Sequence, residues 1–166
     1  MGAGKTTIGR QLATTLKMEF KDSDHEIVHR TGASIPLIFE IEGEEGFRRR
    51  ESEVLDKLTQ EDNLVLATGG GAVLKEINRS HLRARGTVIY LYASLDQLLQ
   101  RTAKDKNRPL LQTADPRAKL EELMEQRDPL YREVAHMVVH TDERSIRSVI
   151  KEILVRIREH RKVQAT

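Results

Sequence analysis

At 166 residues the chain has the size of one domain of about 100 to 200 residues, long enough to bury a sizeable core and too short for two. Lys and Arg number 28 against 26 Asp and Glu, a net charge of +2 too small to act as a general field for nucleic acid or an anionic membrane, so basic function has to be local. Cysteine is absent, which excludes disulfides, Cys-ligated zinc and thiol catalysis, and no apolar run approaches the roughly 18 residues of a membrane span, so a cytoplasmic enzyme is expected.

Apolar periodicity switches repeatedly between helical and strand spacing, with no internal repeat and no linker, which predicts an α/β chain. Ile8, Leu12, Ala13 and Leu16 mark one face of a helix that starts near Lys5. Glu19 to Asp22 reads as extended, and Asp24 to Arg30 as a short helix closed by Gly32. Ser34 is a candidate N-cap for Ile35 to Ile41, and Gly43 reads as the start of a long charged helix to about Gln60. Leu64 to Ala67 and Thr87 to Tyr92 have the character of buried parallel strands, and the first runs straight into Thr68-Gly69-Gly70-Gly71. Ser94 can cap a helix through Arg101, and Ala103 to Asp115, which holds the Arg108-Pro109 step, reads as a mobile surface loop. Pro116 to Arg127 returns to helix, Met137 to His140 is a candidate last strand, and Ser145 to His160 is an amphipathic helix with Ile146, Val149, Ile150, Ile153, Leu154 and Ile157 inward.

Gly4-Lys5-Thr6 matches the end of a P-loop, G-x-x-x-x-G-K-[ST], whose backbone N–H groups curl around phosphates while the lysine neutralises charge and the hydroxyl ligates magnesium. The pattern's first glycine falls upstream of Met1, so the fragment also fits an ordinary Gly-rich helix start. Asp22 and Asp24, two apart at a strand end, fit a magnesium carboxylate and a base for a hydroxyl nucleophile, or equally an Asx turn with Asp24 as N-cap. Arg48, Arg49 and Arg50 cannot share one helix face; at most one or two point into a site, where a guanidinium suits a carboxylate, and the rest pair with Glu45, Glu51 or Glu53 on the surface. Gly69 to Gly71 permits close backbone approach to a ligand, where a plain turn needs fewer glycines. His25-Glu26-Ile27-Val28-His29 matches the zinc-peptidase pattern H-E-x-x-H, but His81, His136, His140 and His160 offer no supporting spacing for a third ligand.

Taken in order, GAGKTTIG, DSD, RTGASIPLIFEIEGEEGFRRRE, LATGGGAV, NRPLL and RDPLYRE resemble the shikimate kinase family over nearly the whole chain. The resemblance implies a three-layer P-loop kinase of the α/β class, with a central parallel sheet in the order 2-3-1-4-5 whose first, central strand lies upstream of Met1. It implies one domain over 1–166, with a substrate-binding region at about 24–60 and a lid at about 103–114. It implies ATP-dependent phosphorylation of the 3-hydroxyl of shikimate with Mg²⁺, by a monomer without nucleic-acid or membrane partners. Under it, Gly2, Ala3, Gly4, Lys5, Thr6 and Thr7 hold the ATP phosphates, Thr6 binds magnesium directly, and Asp22 holds it through water. Asp24 orients or deprotonates the acceptor hydroxyl. Arg48 and Arg127 clamp the substrate carboxylate beside Gly69, Gly70 and Gly71. Arg108 arrives on the lid to meet the transferring phosphate, Arg101 lies against adenine, and Arg144 is a further nucleotide candidate. The truncated P-loop keeps open an impaired shikimate or nucleotide binder, and the histidine pair a zinc peptidase.

Overall fold

The structure, a computed structural model, describes residues 3–103 and 109–166. The elements in chain order are α1 (Lys5–Leu16), β1 (Glu19–Asp22), α2 (Ser23–Thr31), α3 (Ile35–Leu58), β2 (Leu64–Ala67), α4 (Glu76–Arg85), β3 (Ile89–Tyr92), α5 (Leu95–Thr102), α6 (Pro116–Val134), β4 (Met137–His140) and α7 (Ile146–Gln164). Short 3₁₀ turns cover Ala72–Leu74 and Pro109–Leu111.

The strands form two parallel pairs. β1 lies beside β2 with Asp22 opposite Ala67, and β3 lies beside β4 with Ile89 opposite Met137. These pairs stand where strands 2-3 and 4-5 of the expected order belong. Among the described residues neither β2 nor β3 has a second strand neighbour, and a cavity of about 440 Å³ separates them. Val65 and Leu66 of β2, Ile89 and Leu91 of β3, and Ile8, Leu12 and Ile153 are among the residues that line it.

Local chemistry explains the boundaries near the site. α1 starts at Gly4, which sits at φ 87°, a left-handed value open to glycine, and its carbonyl accepts from Ile8 N–H at 2.9 Å. α1 then packs Ile8 and Leu12 against Val149, Ile150, Ile153 and Ile157 of α7. Asp22 caps α2 by accepting from the backbone N–H groups of Asp24 and His25, and Gly32 ends that helix at φ 69°. Ser34 caps α3 as expected, and Gly43 (φ 71°, ψ 178°) is non-helical, a break between two helical arms, the second of which starts where the sequence places a helix start. Both arms of α3 join one core cluster with Ile27, through Ile38 on one side and Phe47, Val54 and Leu58 on the other.

Two elements depart from the sequence reading, α4 and α6. α4 was not expected, because only Asn78 is buried in it; it docks through polar groups, Asn78 Nδ2 to the Ala72 carbonyl at 3.0 Å and Arg79 Nη1 to the Val73 carbonyl at 2.7 Å, which leave no apolar period. α6 continues past Arg127 through Pro129, since the buried stripe Leu120, Leu123, Arg127 and Val134 outweighs one lost helix hydrogen bond. Of the expected surface loop at 103–115, residues 104–108 lie outside the described residues, and Leu111 is buried against Leu98, Leu120 and Leu123. Among the described residues no helix is long and apolar enough to cross a membrane.

Candidate active site

The N-terminus of α1 offers first-turn N–H groups that no helix carbonyl can reach, the arrangement that binds phosphate. Lys5 and Thr6 are half-buried there and Thr7 is exposed, while Gly2 lies outside the described residues. Thr6 Oγ1 donates to Asp22 Oδ2 at 3.3 Å, which brings together the two residues expected to serve magnesium. A hydroxyl and a carboxylate are hard oxygen donors and fit that ion. Asp22 Oδ1 is already taken by the α2 cap, at 2.9 Å from Asp24 N and 3.2 Å from His25 N, so the capping residue is Asp22 and not Asp24.

The second half of the site is built on the triglycine. A Cβ on Gly69 would stand 2.8 Å from Asp24 Oδ1 and 3.0 Å from Glu51 Oε2, and one on Gly71 would overlap the Arg48 guanidinium. Glycine is therefore required by what packs against the loop. The Gly69 amide donates to the buried Ser23 hydroxyl at 3.1 Å. Among the described residues the amides of Gly70 and Gly71 meet no protein acceptor.

Arg48 is buried, within the limit of one or two inward arginines that helical spacing sets. Its Nη1 donates to Glu51 Oε1 at 2.9 Å and its Nη2 to Glu44 Oε1 at 3.4 Å. Arg49 is exposed near Glu45, and Arg50 grips Glu42 at 2.6 Å. Arg127, buried on α6, acts electrostatically on Glu51 and Tyr131, the same groups that feel Arg48, so the two guanidiniums converge. Glu51, read from sequence as a surface partner, is fully buried. Burial pushes its carboxyl above the ordinary range, the Arg48 charge opposes this, and nearby Asp24 adds to the rise.

A raised folded pKa means that Glu51 favours the native state at low pH, and that this contribution is lost as pH climbs through the folded value. Glu51→Gln removes the titration and keeps an acceptor for Arg48. Its Tm relative to wild type should therefore rise as pH increases above the usual carboxylate range; a pH-independent difference in thermal melts would contradict this. For Gly71→Ala the backbone (φ −88°, ψ 2°) tolerates alanine, so the damage should come from a displaced Arg48. We expect the shikimate KM to rise about 10- to 100-fold, the loss of one charged hydrogen bond of roughly 1.5–3 kcal/mol, with the ATP KM nearly unchanged in steady-state assays.

The remaining expected residues fall outside this cluster. His25 and His29 are both exposed, Glu26 binds Arg30 at 3.0 Å, and no group of three metal-ligating side chains exists among the described residues, so nothing here favours the zinc-peptidase alternative. Arg101 reaches Thr141 Oγ1 at 3.5 Å. Arg144 donates to Glu152, to both oxygens of Ser148 and to the His140 carbonyl, which makes it a brace for α7. Arg108 lies outside the described residues.

An anion-binding helix start on one side, and a carboxylate with two buried guanidiniums around a glycine cradle on the other, make this a P-loop kinase of a small anionic acceptor. The model of the shikimate kinase family matches residues 1–158, and the chain belongs to that family. A shikimate kinase of Nitrosospira multiformis is 63% identical over 153 residues, which are 92% of this chain and 78% of that protein. Among solved structures, shikimate kinase from Acinetobacter baumannii in complex with shikimate superposes with a TM-score of 0.94 at 56% identity, over 96% of this chain and 89% of that one. Shikimate kinase from Aquifex aeolicus superposes at 0.84 and 36% identity, over 96% and 93%.

Proposed function

We propose that the chain transfers the γ-phosphoryl group of ATP to the 3-hydroxyl of shikimate, giving shikimate 3-phosphate and ADP. The observation that carries this reading is the convergence of Asp24, Arg48 and the triglycine, which sets one carboxylate and one buried guanidinium around a single glycine loop.

The start of α1 and the Lys5 ammonium bind the nucleotide phosphates. Arg48 and Arg127 take the substrate carboxylate, a geometry that suits the guanidinium fork, and the Gly70 and Gly71 amides donate to substrate oxygens. Asp24, in the first turn of α2, accepts the proton of the attacking hydroxyl as its oxygen bonds to the γ-phosphorus and the bond to the β-phosphate oxygen breaks. Thr6 and Asp22 would hold magnesium, Thr6 directly and Asp22 through water, and the ion supplies positive charge against the phosphates. The lid expected at about 103–114, with Arg108, lies in part outside the described residues.

The test is ADP release coupled to a spectrophotometric assay, with and without shikimate, together with phosphorus NMR of the product. Shikimate-dependent release with a new phosphate ester supports the reading; release that ignores shikimate defeats it.

A further inference from the structure

Tyr131 belongs to no expected role, yet it touches the centre of the site. Its hydroxyl donates to the Gly70 carbonyl at 2.5 Å, across 61 positions of sequence. It stands one helical turn after Arg127 on α6, so phenol and guanidinium share a face of that helix. The ring is wedged: its centroid lies 4.9 Å from that of Tyr90, whose own hydroxyl donates to Asp128 at 2.7 Å. Arg132, held by Asp128 at 2.9 Å, covers the Tyr90 ring from 5.9 Å. A phenol fixed on this stack holds the carbonyl it binds.

We propose that Tyr131 is a positioning residue that latches the Gly70–Gly71 peptide so that the loop presents amide donors to the acceptor substrate. The proposal rests on the shikimate reading. In a trans peptide the carbonyl and the following N–H point in opposite directions, so tying the Gly70 oxygen to α6 turns the Gly71 N–H away from it. Consecutive glycines have the backbone freedom to flip that unit. The flipped form would turn a carbonyl oxygen toward an anionic, hydroxyl-rich ligand and repel it. Burial, partly offset by the Arg127 charge, pushes the Tyr131 phenol above its ordinary pKa, so it stays a donor through the working pH range.

Tyr131→Phe keeps the ring on Tyr90 and removes only the hydroxyl. In ligand-free protein, amide relaxation dispersion on the microsecond-to-millisecond scale should appear at Gly70 and Gly71 in the variant and be absent from wild type, with core amides such as Val139 unaltered. By calorimetry the shikimate Kd should rise about three- to tenfold, the loss of one hydrogen bond, with the ATP Kd unchanged. Equal weakening of both ligands, or no change in loop dispersion, overturns the proposal. A wild-type chain that fails to bind shikimate would defeat the substrate reading instead, and the dispersion comparison would still decide the role of Tyr131.

Discussion

Asp24→Asn should lower kcat by about 10²- to 10⁴-fold, the usual contribution of a positioned general base, while ATP binding stays within a few-fold of wild type. Asparagine has nearly the same shape, so the packing of residue 24 against Gly69 survives. What changes is that an amide cannot accept the proton of the attacking hydroxyl. The effect should fall on kcat because, in the proposed site, Arg48, Arg127 and the glycine amides would hold shikimate and the start of α1 the nucleotide. A variant that retains more than about a tenth of wild-type kcat in single-turnover phosphoryl transfer would remove Asp24 from the base role. A variant that loses shikimate affinity but keeps its turnover would make Asp24 a binding group.

The sequence made the local part of this site readable and hid the part that depends on distant packing. Gly4-Lys5-Thr6 and the run Leu64–Ala67 into three glycines are each written within a few residues, and the structure places a helix start and a strand end there. Helical spacing allowed at most one or two of three successive arginines to turn inward, and Arg48 does. Glu51 looked like any surface partner at i,i+3, because burial is decided by what covers a helix and not by its own charge pattern. Ser23 meets the Gly69 amide across 46 positions and Tyr131 meets Gly70 across 61, separations over which no periodicity carries information. α4 escaped for a related reason: its docking is made by amide and guanidinium groups, which hydropathy counts as solvent-facing.

Supplying an apolar strand to the cavity between β2 and β3 should raise stability and nucleotide affinity together. Both strands are parallel to their partners and, among the described residues, carry no neighbour on their facing edges, so each presents backbone groups of the kind whose burial without a partner costs about 1–3 kcal/mol. The lining side chains Val65, Leu66, Ile89 and Leu91 are half-buried and favour an apolar insert. Because Lys5, Gly69 and Gly70 also line this cavity, an insert would stiffen the floor under both the phosphate site and the glycine cradle. A fusion ahead of Met1 of five β-branched apolar residues and a glycine-containing turn should raise Tm by roughly 10 °C, since 1 kcal/mol moves a chain of this size by about 2–4 °C and several hydrogen bonds are gained. The control is the same extension with proline at alternate positions, which cannot donate to either edge. Calorimetric melts and ATP titration of the two fusions decide the matter. If the proline extension works as well as the apolar one, or neither shifts Tm, the edges of β2 and β3 are not strand acceptors and the cavity is closed in some other way.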